Sequence, residues 1–197
     1  MAAKKTTGKK KSPAGQLRIV AGIWRSRLLQ IADVPGLRPT SERIRETLFN
    51  WLAPRIRGAR CLDLCAGTGA LGLEALSRGA SRAVLVERSP LATKALMANI
   101  ASLETTGAEV RNLDARQYLG GSNVELFDIV FLDPPFAEVL HDELCRLLVE
   151  RRWLAAGARI YIETDKKQPQ VCLPEGWQML KNRTAGNVRY MLATTEV

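Results

Sequence analysis

The 197-residue sequence predicts an α/β protein in which helices cover both faces of a mostly parallel β-sheet. Three observations carry this prediction. Strand-like and helix-like segments alternate over residues 61–163, and a glycine-rich turn follows the first of these strands. A later apolar strand ends abruptly in Asp133-Pro134-Pro135. Strands that alternate with helices are typical of parallel sheets, because each helix carries the chain back to start the next strand.

The sequence before this region is predicted to form two segments. Residues 1–15 combine Lys, Thr, Gly, Ser and Pro without apolar periodicity, which predicts a disordered basic tail. Residues 16–60 are predicted to be an ordered basic segment. Its first part, residues 17–31, has strand-like composition and a turn near 22–26, so we expect a β-hairpin.

A helix is predicted after the hairpin, ending near Leu52. Thr40 or Ser41 can cap its first turn through a side-chain hydroxyl. Pro54 follows the last predicted turn, where a proline disfavours continuation of a helix.

Residues 61–197 are predicted to form one domain with seven strands, five of them followed or preceded by helices. The predicted strands are 61–65, 83–87, 108–113, 127–132 and 158–163, and the predicted helices are 70–78, 90–103, 115–119 and 138–151. Residues 177–194 predict two further strands around a turn at 185–187, which we expect to form an antiparallel edge.

Composition excludes several classes of protein. Apolar residues make up 46% and charged residues 25%, which is ordinary for a globular domain. No apolar stretch approaches the 18 or so residues of a membrane-spanning helix, so no membrane partner is expected. The basic, polar N-terminus lacks the apolar run of a secretory signal, which predicts a cytoplasmic location.

The positive charge is concentrated at one end of the chain. The formal net charge is +9, but residues 1–60 carry +11 and the remainder carries −2. A basic segment on a near-neutral body indicates a polyanionic partner. A solubilising lysine tail is the alternative for residues 4–11.

Cysteine and histidine usage argues against a metal site. The four cysteines form no C-x-x-C pair, and His141 is the one histidine. A Ser-His-Asp or Cys-His mechanism would therefore have to use His141. We expect His141 at the surface near the start of a helix, and the cysteines as small buried apolar residues.

The first candidate site follows the strand at 61–65. Gly67, Gly69 and Gly72 match G-x-G-x-x-G, the dinucleotide-binding pattern, and glycines let a ligand approach the backbone closely. Asp63 stands four residues before Gly67, where a carboxylate would repel a pyrophosphate. It would instead bind a cation such as an α-ammonium group. The alternative is a glycine turn with a capping carboxylate.

Two more acidic residues end the next two strands. Glu87 occupies the position at which doubly wound folds bind ribose hydroxyls. Asp114, followed by Ala115, would lie beside an adenine and accept from its exocyclic amine. An ordinary helix N-cap is an equally good interpretation of Asp114.

The sharpest motif is Asp133-Pro134-Pro135-Phe136 at the end of the apolar strand 127–132. Ligands of open α/β sheets bind at this edge. The two prolines stiffen the loop, so the Asp133 carboxylate and the Pro134 carbonyl can both accept from one exocyclic NH₂ group. Phe136 offers a ring on which a flipped base can stack, worth about 1–3 kcal/mol.

Together these residues resemble S-adenosylmethionine-dependent amino methyltransferases, and most closely the bacterial RsmD family of 16S rRNA guanine-N2 methyltransferases. The resemblance covers nearly the whole chain. It is carried by residues 18–25, 36–40, 43–52, 69–78 and 133–136. The lysine-rich start is not part of it.

The resemblance implies a Rossmann-like class I methyltransferase fold with seven strands and an N-terminal β-hairpin. It implies methylation of guanine 966 at N2, with S-adenosyl-L-methionine as cofactor and 16S rRNA as partner, either free or in the assembled small subunit. The implied residues around the methyl acceptor are Asp133, Pro134 and Phe136. Those implied for the cofactor are Asp63, Ala66, Gly67, Gly69, Glu87, Arg88, Asp114 and Ala115.

Arginines of the ordered basic segment are expected to bind RNA phosphates, for which the planar guanidinium is suited. They are Arg18, Arg25, Arg27, Arg38 and Arg43. Some could instead pair with Glu42 or Glu46, and Arg45 is expected to be an exception because its block lies near the active site in the family.

Three other functions remain open from the sequence. An adenine-N6 DNA methyltransferase would use the same Asp-Pro-Pro-Phe, although it usually needs a larger base-reading region. An NAD-dependent oxidoreductase would share G-x-G-x-x-G but would not require Asp133. A non-catalytic RNA-binding protein would need only the basic segment.

Overall fold

In a computed structural model of the protein, the described residues are 15–34, 37, 40–122, 125–135 and 138–195. The tail prediction for residues 1–14 lies outside them. The strands in this part of the chain are β1 Gln16–Arg18, β2 Leu28–Gln30, β3 Arg60–Asp63, β4 Arg82–Val86, β5 Ala108–Arg111, β6 Phe127–Leu132, β7 Leu154–Asp165, β8 Trp177–Ala185 and β9 Val188–Thr195. The helices are α1 Glu42–Leu52, α2 Ala70–Ser77, α3 Pro90–Ser102, α4 Ala115–Gly120 and α5 His141–Glu150.

Seven of these strands form one sheet in the order β5-β4-β3-β6-β7-β9-β8. The pairs among β3 to β7 are parallel, whereas β9 runs antiparallel to both β7 and β8. The predicted α/β fold, its seven strands and its antiparallel edge are therefore confirmed. Strands β4 and β5 follow β3 on one side of it, and β6 and β7 lie on the other side. This reversal of strand order leaves a crevice between the carboxyl ends of β3 and β6.

Apolar residues cover both faces of the sheet. Along β6, Ile129 and Phe131 belong to one buried cluster, and Val130 and Leu132 belong to the other, as the alternation of a strand requires. The hairpin contributes Leu17, Ile19 and Leu29 to the first cluster, where α1 and α2 also pack. The hairpin is thus part of the main core.

Polar contacts also join the hairpin to α2. The carboxylate of Glu74 accepts hydrogen bonds from the backbone N–H groups of Val20 at 2.8 Å and Ala21 at 2.9 Å. The Ser77 hydroxyl accepts from the Trp24 N–H at 3.0 Å and donates to the Ala21 carbonyl at 2.6 Å. These contacts fix the hairpin beside the helix that begins at the glycine turn.

The structure corrects several predictions. The hairpin strands have only three residues each, because residues 19–27 form the connection. The surface prediction for His141 is wrong: its side chain is buried, and Nε2 lies 2.8 Å from the carbonyl oxygen of Glu163. Cys61 and Cys145 are buried as predicted, but Cys172 is exposed because it lies in the irregular segment after β7.

Within the described residues, no helix has both the length and the apolar character needed to cross a bilayer.

Candidate active site

A cavity of about 880 Å³ lies at the carboxyl ends of β3, β4, β6 and β7. Its lining includes Asp63, Glu87, Asp114 and Asp133, the four acidic residues predicted from the sequence. Ala66, Gly67, Arg88, Ala115 and Pro134 line it as well. The position is the one expected for ligands of open α/β sheets, and the volume lies in the range of small-molecule sites.

The glycine turn brings backbone close to this cavity. Gly67 and Gly69 have φ angles of 51° and 77°, a left-handed conformation that side chains rarely adopt. A Cβ on Gly69 would lie 2.5 Å from Leu96 Cδ1, and one on Gly72 would lie 2.8 Å from Leu85 Cδ2. A larger residue at either position would therefore require these leucine side chains to move.

Asp63 ends β3 beneath this turn with only 2% of its surface exposed. Its Oδ2 accepts the Gly72 N–H at 3.0 Å, which ties the strand to α2. Burial raises the pKa of Asp63 to about 7, and the negative charges of Asp133 and Glu87 contribute to the increase. A cation bound beside Asp63 would offset this cost, so its environment suits an α-ammonium group.

Glu87 follows β4 and helps to shape the turn. One carboxylate oxygen accepts the Gly67 N–H at 2.8 Å, and the other accepts the Ser89 N–H at 2.7 Å. Each carboxylate oxygen can accept more than one hydrogen bond, so ribose hydroxyls can still donate to Glu87. Arg88, beside it, pairs with the Glu138 carboxylate at 2.5 and 3.0 Å.

Asp114 is the N-cap of α4. Its Oδ1 accepts the Arg116 backbone N–H at 2.9 Å, and the Arg116 guanidinium, which lies beside it, lowers the pKa of Asp114. Gln117 completes a capping box with it. The capping interpretation is confirmed. Asp114 also lines the cavity, and its contact with an adenine stays a prediction.

Asp133 follows β6 at the crevice. Its Oδ2 accepts a hydrogen bond from the Thr40 hydroxyl at 3.0 Å. Removal from bulk water raises the pKa of Asp133 to about 6, although the Thr40 bond favours the ionised form. Pro134 is buried next to it. Phe136 lies outside the described residues, so the stacking prediction has no structural description.

The predicted RNA-binding arginines divide into two groups. Arg18, Arg25 and Arg27 are exposed on the hairpin, with the Arg27 guanidinium donating to the Ser102 carbonyl at 2.7 Å. Arg43 is exposed at the cavity, in the first turn of α1. Arg38 lies outside the described residues.

Arg45 is the exception that was expected. Its side chain is 1% exposed and donates to Glu74 at 3.1 Å, to the Arg18 carbonyl at 2.8 Å and to the Thr40 carbonyl at 3.2 Å. It therefore links the hairpin and α2 to the residue that contacts Asp133.

Sequence reasoning missed two residues of the site and one that supports it. The sequence predicts Thr40 only as a possible helix cap, whereas in the structure Ser41 caps α1 and Thr40 contacts Asp133. The sequence patterns do not single out Glu163, although it stands at the end of a predicted strand, much as Asp133 follows one. Glu74 could have been found as the one acidic residue in the otherwise apolar sequence of α2.

Three comparisons relate the chain to known proteins. The family model described as conserved hypothetical protein 95 matches residues 17–194. Ribosomal RNA small subunit methyltransferase D from Escherichia coli K12 is 45% identical over 185 residues, covering 94% of this chain and 93% of that protein. The protein of the same name from Haemophilus influenzae is 44% identical over 181 residues, covering 90% and 93%. The solved structure of the Escherichia coli protein yhhF is 43% identical, with a TM-score of 0.87 over 92% of this chain and 99% of that chain.

Proposed function

The chain belongs to the conserved hypothetical protein 95 family, which includes ribosomal RNA small subunit methyltransferase D. We propose that it methylates N2 of a guanine in 16S rRNA, at position 966. It is an rRNA methyltransferase whose methyl donor is S-adenosylmethionine. The observation that carries the finer proposal is the pair of acceptors at the end of β6. The Asp133 carboxylate, which accepts from Thr40, and Pro134 both line the cavity, and this supports a site in which one exocyclic amine donates to the carboxylate and to the Pro134 carbonyl.

The residues of the cavity fit the cofactor. Asp63 supplies a buried carboxylate for the ammonium group, Glu87 supplies acceptors for ribose hydroxyls, and the Gly67 turn leaves room for close approach. When bound, S-adenosylmethionine supplies an electrophilic methyl group on a sulfonium. Asp63 and Glu87 orient the cofactor, while Asp133 orients the nucleophile.

The acceptors at Asp133 and Pro134 address the weak nucleophilicity of guanine N2, whose lone pair is delocalised into the ring. Accepting both N2 hydrogens holds the nitrogen in place and favours a more pyramidal, nucleophilic geometry. The attraction between the carboxylate and N2 grows as positive charge develops on the nitrogen. Asp133 therefore stabilises the transition state more than the ground state.

The other functions are less well supported. Family membership and an intact acceptor site argue against an oxidoreductase and against a protein that only binds RNA. An adenine-N6 methyltransferase would present the same Asp133 and Pro134 to a different amine. The relatives named for small-subunit rRNA favour an rRNA substrate over DNA, and the proposal assigns guanine in 16S rRNA as the acceptor, with the reaction in the cytoplasm.

The function is tested by incubating the protein with labelled S-adenosylmethionine and one of three acceptors lacking the modification. These are small ribosomal subunits, naked 16S rRNA and DNA. We expect N2-methylguanosine in rRNA, and comparison of the first two acceptors identifies the form of the substrate. Label only in DNA, or N6-methyladenine as the product, would contradict the proposal.

Cofactor binding provides the next prediction. Asp63→Ala should weaken S-adenosylmethionine binding because a buried partner of its ammonium group is removed, and Glu87→Ala should do so by removing acceptors for the ribose. Each charge-assisted bond is worth about 1.5–3 kcal/mol. Calorimetry measures both affinities. Arg146→Gln, on the exposed side of α5, is the control and should leave the affinity unchanged. Unchanged affinity in both acidic variants would refute the assignment.

RNA binding by the hairpin gives a prediction about salt. Replacing Arg18, Arg25 and Arg27 together with glutamine should weaken RNA binding most at low salt. The plot of log affinity against log salt has a negative slope. For every phosphate that an arginine no longer neutralises, this slope should become less steep by roughly 0.7–0.9. Cofactor affinity should be unchanged, because that part of the cavity follows residue 60 in the chain.

The salt titration is repeated with a chain lacking residues 1–15. A control variant replaces Arg146, in the middle of α5, and Arg151, just after it, with glutamine. If the slope is unchanged in the hairpin variant and becomes less steep only in the chain lacking residues 1–15, the tail rather than the hairpin binds the RNA.

A further inference from the structure

A second buried carboxyl group lies next to Asp133. Leu132 of β6 pairs with Ile162 of β7, so the residues that follow them, Asp133 and Glu163, occupy neighbouring positions on adjacent strands. Adjacent strands are about 4.8 Å apart, and residues opposite each other point to the same face of the sheet. Glu163 lines the same cavity as Asp133 and is only 5% exposed.

The side chain of Glu163 is held on one side only. The Tyr161 hydroxyl, fully buried, donates to Glu163 Oε2 at 2.6 Å. Among the described residues, no cationic side chain pairs with Glu163, and no hydrogen bond reaches Oε1. A carboxyl group with a free oxygen in a binding cavity is a candidate for contact with a ligand.

The location of Glu163 identifies which part of the substrate it faces. In the sheet order, Asp63 and Glu87 lie on the β3 and β4 side of Asp133, whereas Glu163 lies on the β7 side. The proposed cofactor site is on the β3 and β4 side of Asp133. A base whose amine is at Asp133 therefore extends toward β7 and Glu163. The amine of guanine lies between the N1–H donor and the N3 acceptor, and a carboxylate can accept only from N1–H. The corresponding N1 of adenine is an acceptor.

We propose that Glu163 determines the specificity for guanine by accepting the N1–H through its free oxygen, while Asp133 and Pro134 accept from N2. This inference rests on the proposed function and deepens it. An ionised carboxylate accepts from guanine but repels the N1 lone pair of adenine. Tyr161 fixes the orientation of the carboxylate by occupying its other oxygen.

The electrostatics agree with this role. Burial and the negative charge of Asp133 raise the pKa of Glu163 to about 8, so in the empty cavity the two carboxyls avoid carrying two adjacent charges. A donor at N1 and the positively charged cofactor both favour the ionised form of Glu163. Ionisation of Glu163 is thereby linked to the entry of the correct base.

The test compares 16S rRNA carrying guanine or 2,6-diaminopurine at the target position, in whichever form the wild-type protein methylates. The analogue keeps the amine that is methylated but has a lone pair at N1 in place of N1–H and an amine in place of O6, so the effect of Glu163→Gln on the preference is what isolates the contact at N1. The wild type should prefer guanine by at least about 100-fold in kcat/KM, since a site built for a donor rejects an analogue without it. Equal rates on the two RNAs would overturn the inference.

Glu163→Gln separates recognition from a structural role. The glutamine amide can donate to the N1 lone pair, so the preference for guanine should fall below about tenfold. Glu150→Gln is the control, because Glu150 is an exposed carboxylate of α5 that pairs with Arg146 and does not line the cavity. It should keep the wild-type preference. If Glu163→Gln lowers kcat/KM equally on both RNAs and leaves the preference unchanged, the role of Glu163 is structural and the inference is overturned.

Tyr161→Phe extends the test if Glu163→Gln does not fold. It removes the hydroxyl that orients Glu163 and should reduce the preference for guanine, whereas an unchanged preference would count against the inference. A wild type that methylates no guanine in any rRNA would refute the proposed function itself, and this outcome is distinct from methylation without discrimination at N1.

Discussion

Replacing Asp133 with alanine should lower turnover by at least about 100-fold while affinity for S-adenosylmethionine stays within a few-fold of wild type. The carboxylate stands at the end of β6, in the crevice beside β3, and its position is fixed by the Thr40 hydroxyl at 3.0 Å. Its attraction to N2 increases as the nitrogen becomes positive, so its loss acts on the methyl-transfer step. Single-turnover rates with saturating cofactor measure that step, and calorimetry measures the affinity.

Two variants refine this prediction. Asp133→Asn keeps an oxygen that can accept one N2 hydrogen but removes the negative charge, so it should be impaired even though its shape is preserved. Thr40→Val removes only the hydroxyl that orients Asp133, and a smaller loss is expected. Near-wild-type turnover in Asp133→Ala would refute the role of the carboxylate in polarising N2.

The pKa of Asp133 adds a dependence on pH. Because removal from water raises this pKa to about 6, the carboxyl becomes neutral as the pH falls through 6 and can no longer attract the positive nitrogen. The wild-type single-turnover rate should therefore fall on the acid side. Asp133→Asn should lose the part of this fall that belongs to Asp133, whereas the part that belongs to ionisation of Glu163 should remain.

Local patterns predicted the central sheet and most of the candidate site. Strands and helices alternated clearly, so the parallel order followed from general rules of chain connection. Asp63, Glu87 and Asp133 each end a strand, and the carboxyl ends of parallel strands meet at one edge. Their convergence on one cavity could thus be predicted without knowing any distance.

Contacts between distant segments could not be predicted in the same way. Thr40 meets Asp133 across 93 positions of sequence, and only the packing of α1 over the sheet brings them together. Glu163 gains its place beside Asp133 from the pairing of β6 with β7. His141 begins a helix, which suggested exposure, but the end of β7 covers it. These three depend on tertiary structure rather than on local composition.

The largest stability effect is expected at Glu74. Its fully buried carboxylate accepts four hydrogen bonds, from the Val20 and Ala21 backbone and from the side chains of Arg45 and Arg78. Glu74→Ala should reduce the free energy of unfolding by about 3–5 kcal/mol, because it leaves the buried Arg45 guanidinium without its partner. Urea unfolding measures the change.

A surface ion pair provides the control. Glu150 pairs with Arg146 at 2.9 Å on α5, and both side chains are more than half exposed. Glu150→Ala should cost about 0.5 kcal/mol or less, since exposed pairs at helical spacing contribute little. If Glu74→Ala and Glu150→Ala cost the same, Glu74 does not hold the hairpin to α2.

Replacing both Arg45 and Glu74 tests what the buried carboxylate contributes beyond its charge. Exchanging a buried ion pair for apolar residues of similar volume often changes the free energy of unfolding little. If charge were the whole effect, the double variant Arg45→Met with Glu74→Leu would recover most of the stability that Glu74→Ala loses. Glu74 also accepts the N–H groups of Val20 and Ala21, which the double variant leaves without partners. We therefore expect only partial recovery, with faster hydrogen exchange at these two amides than in the wild type. Full recovery with unchanged exchange would show that apolar packing alone holds the hairpin in place.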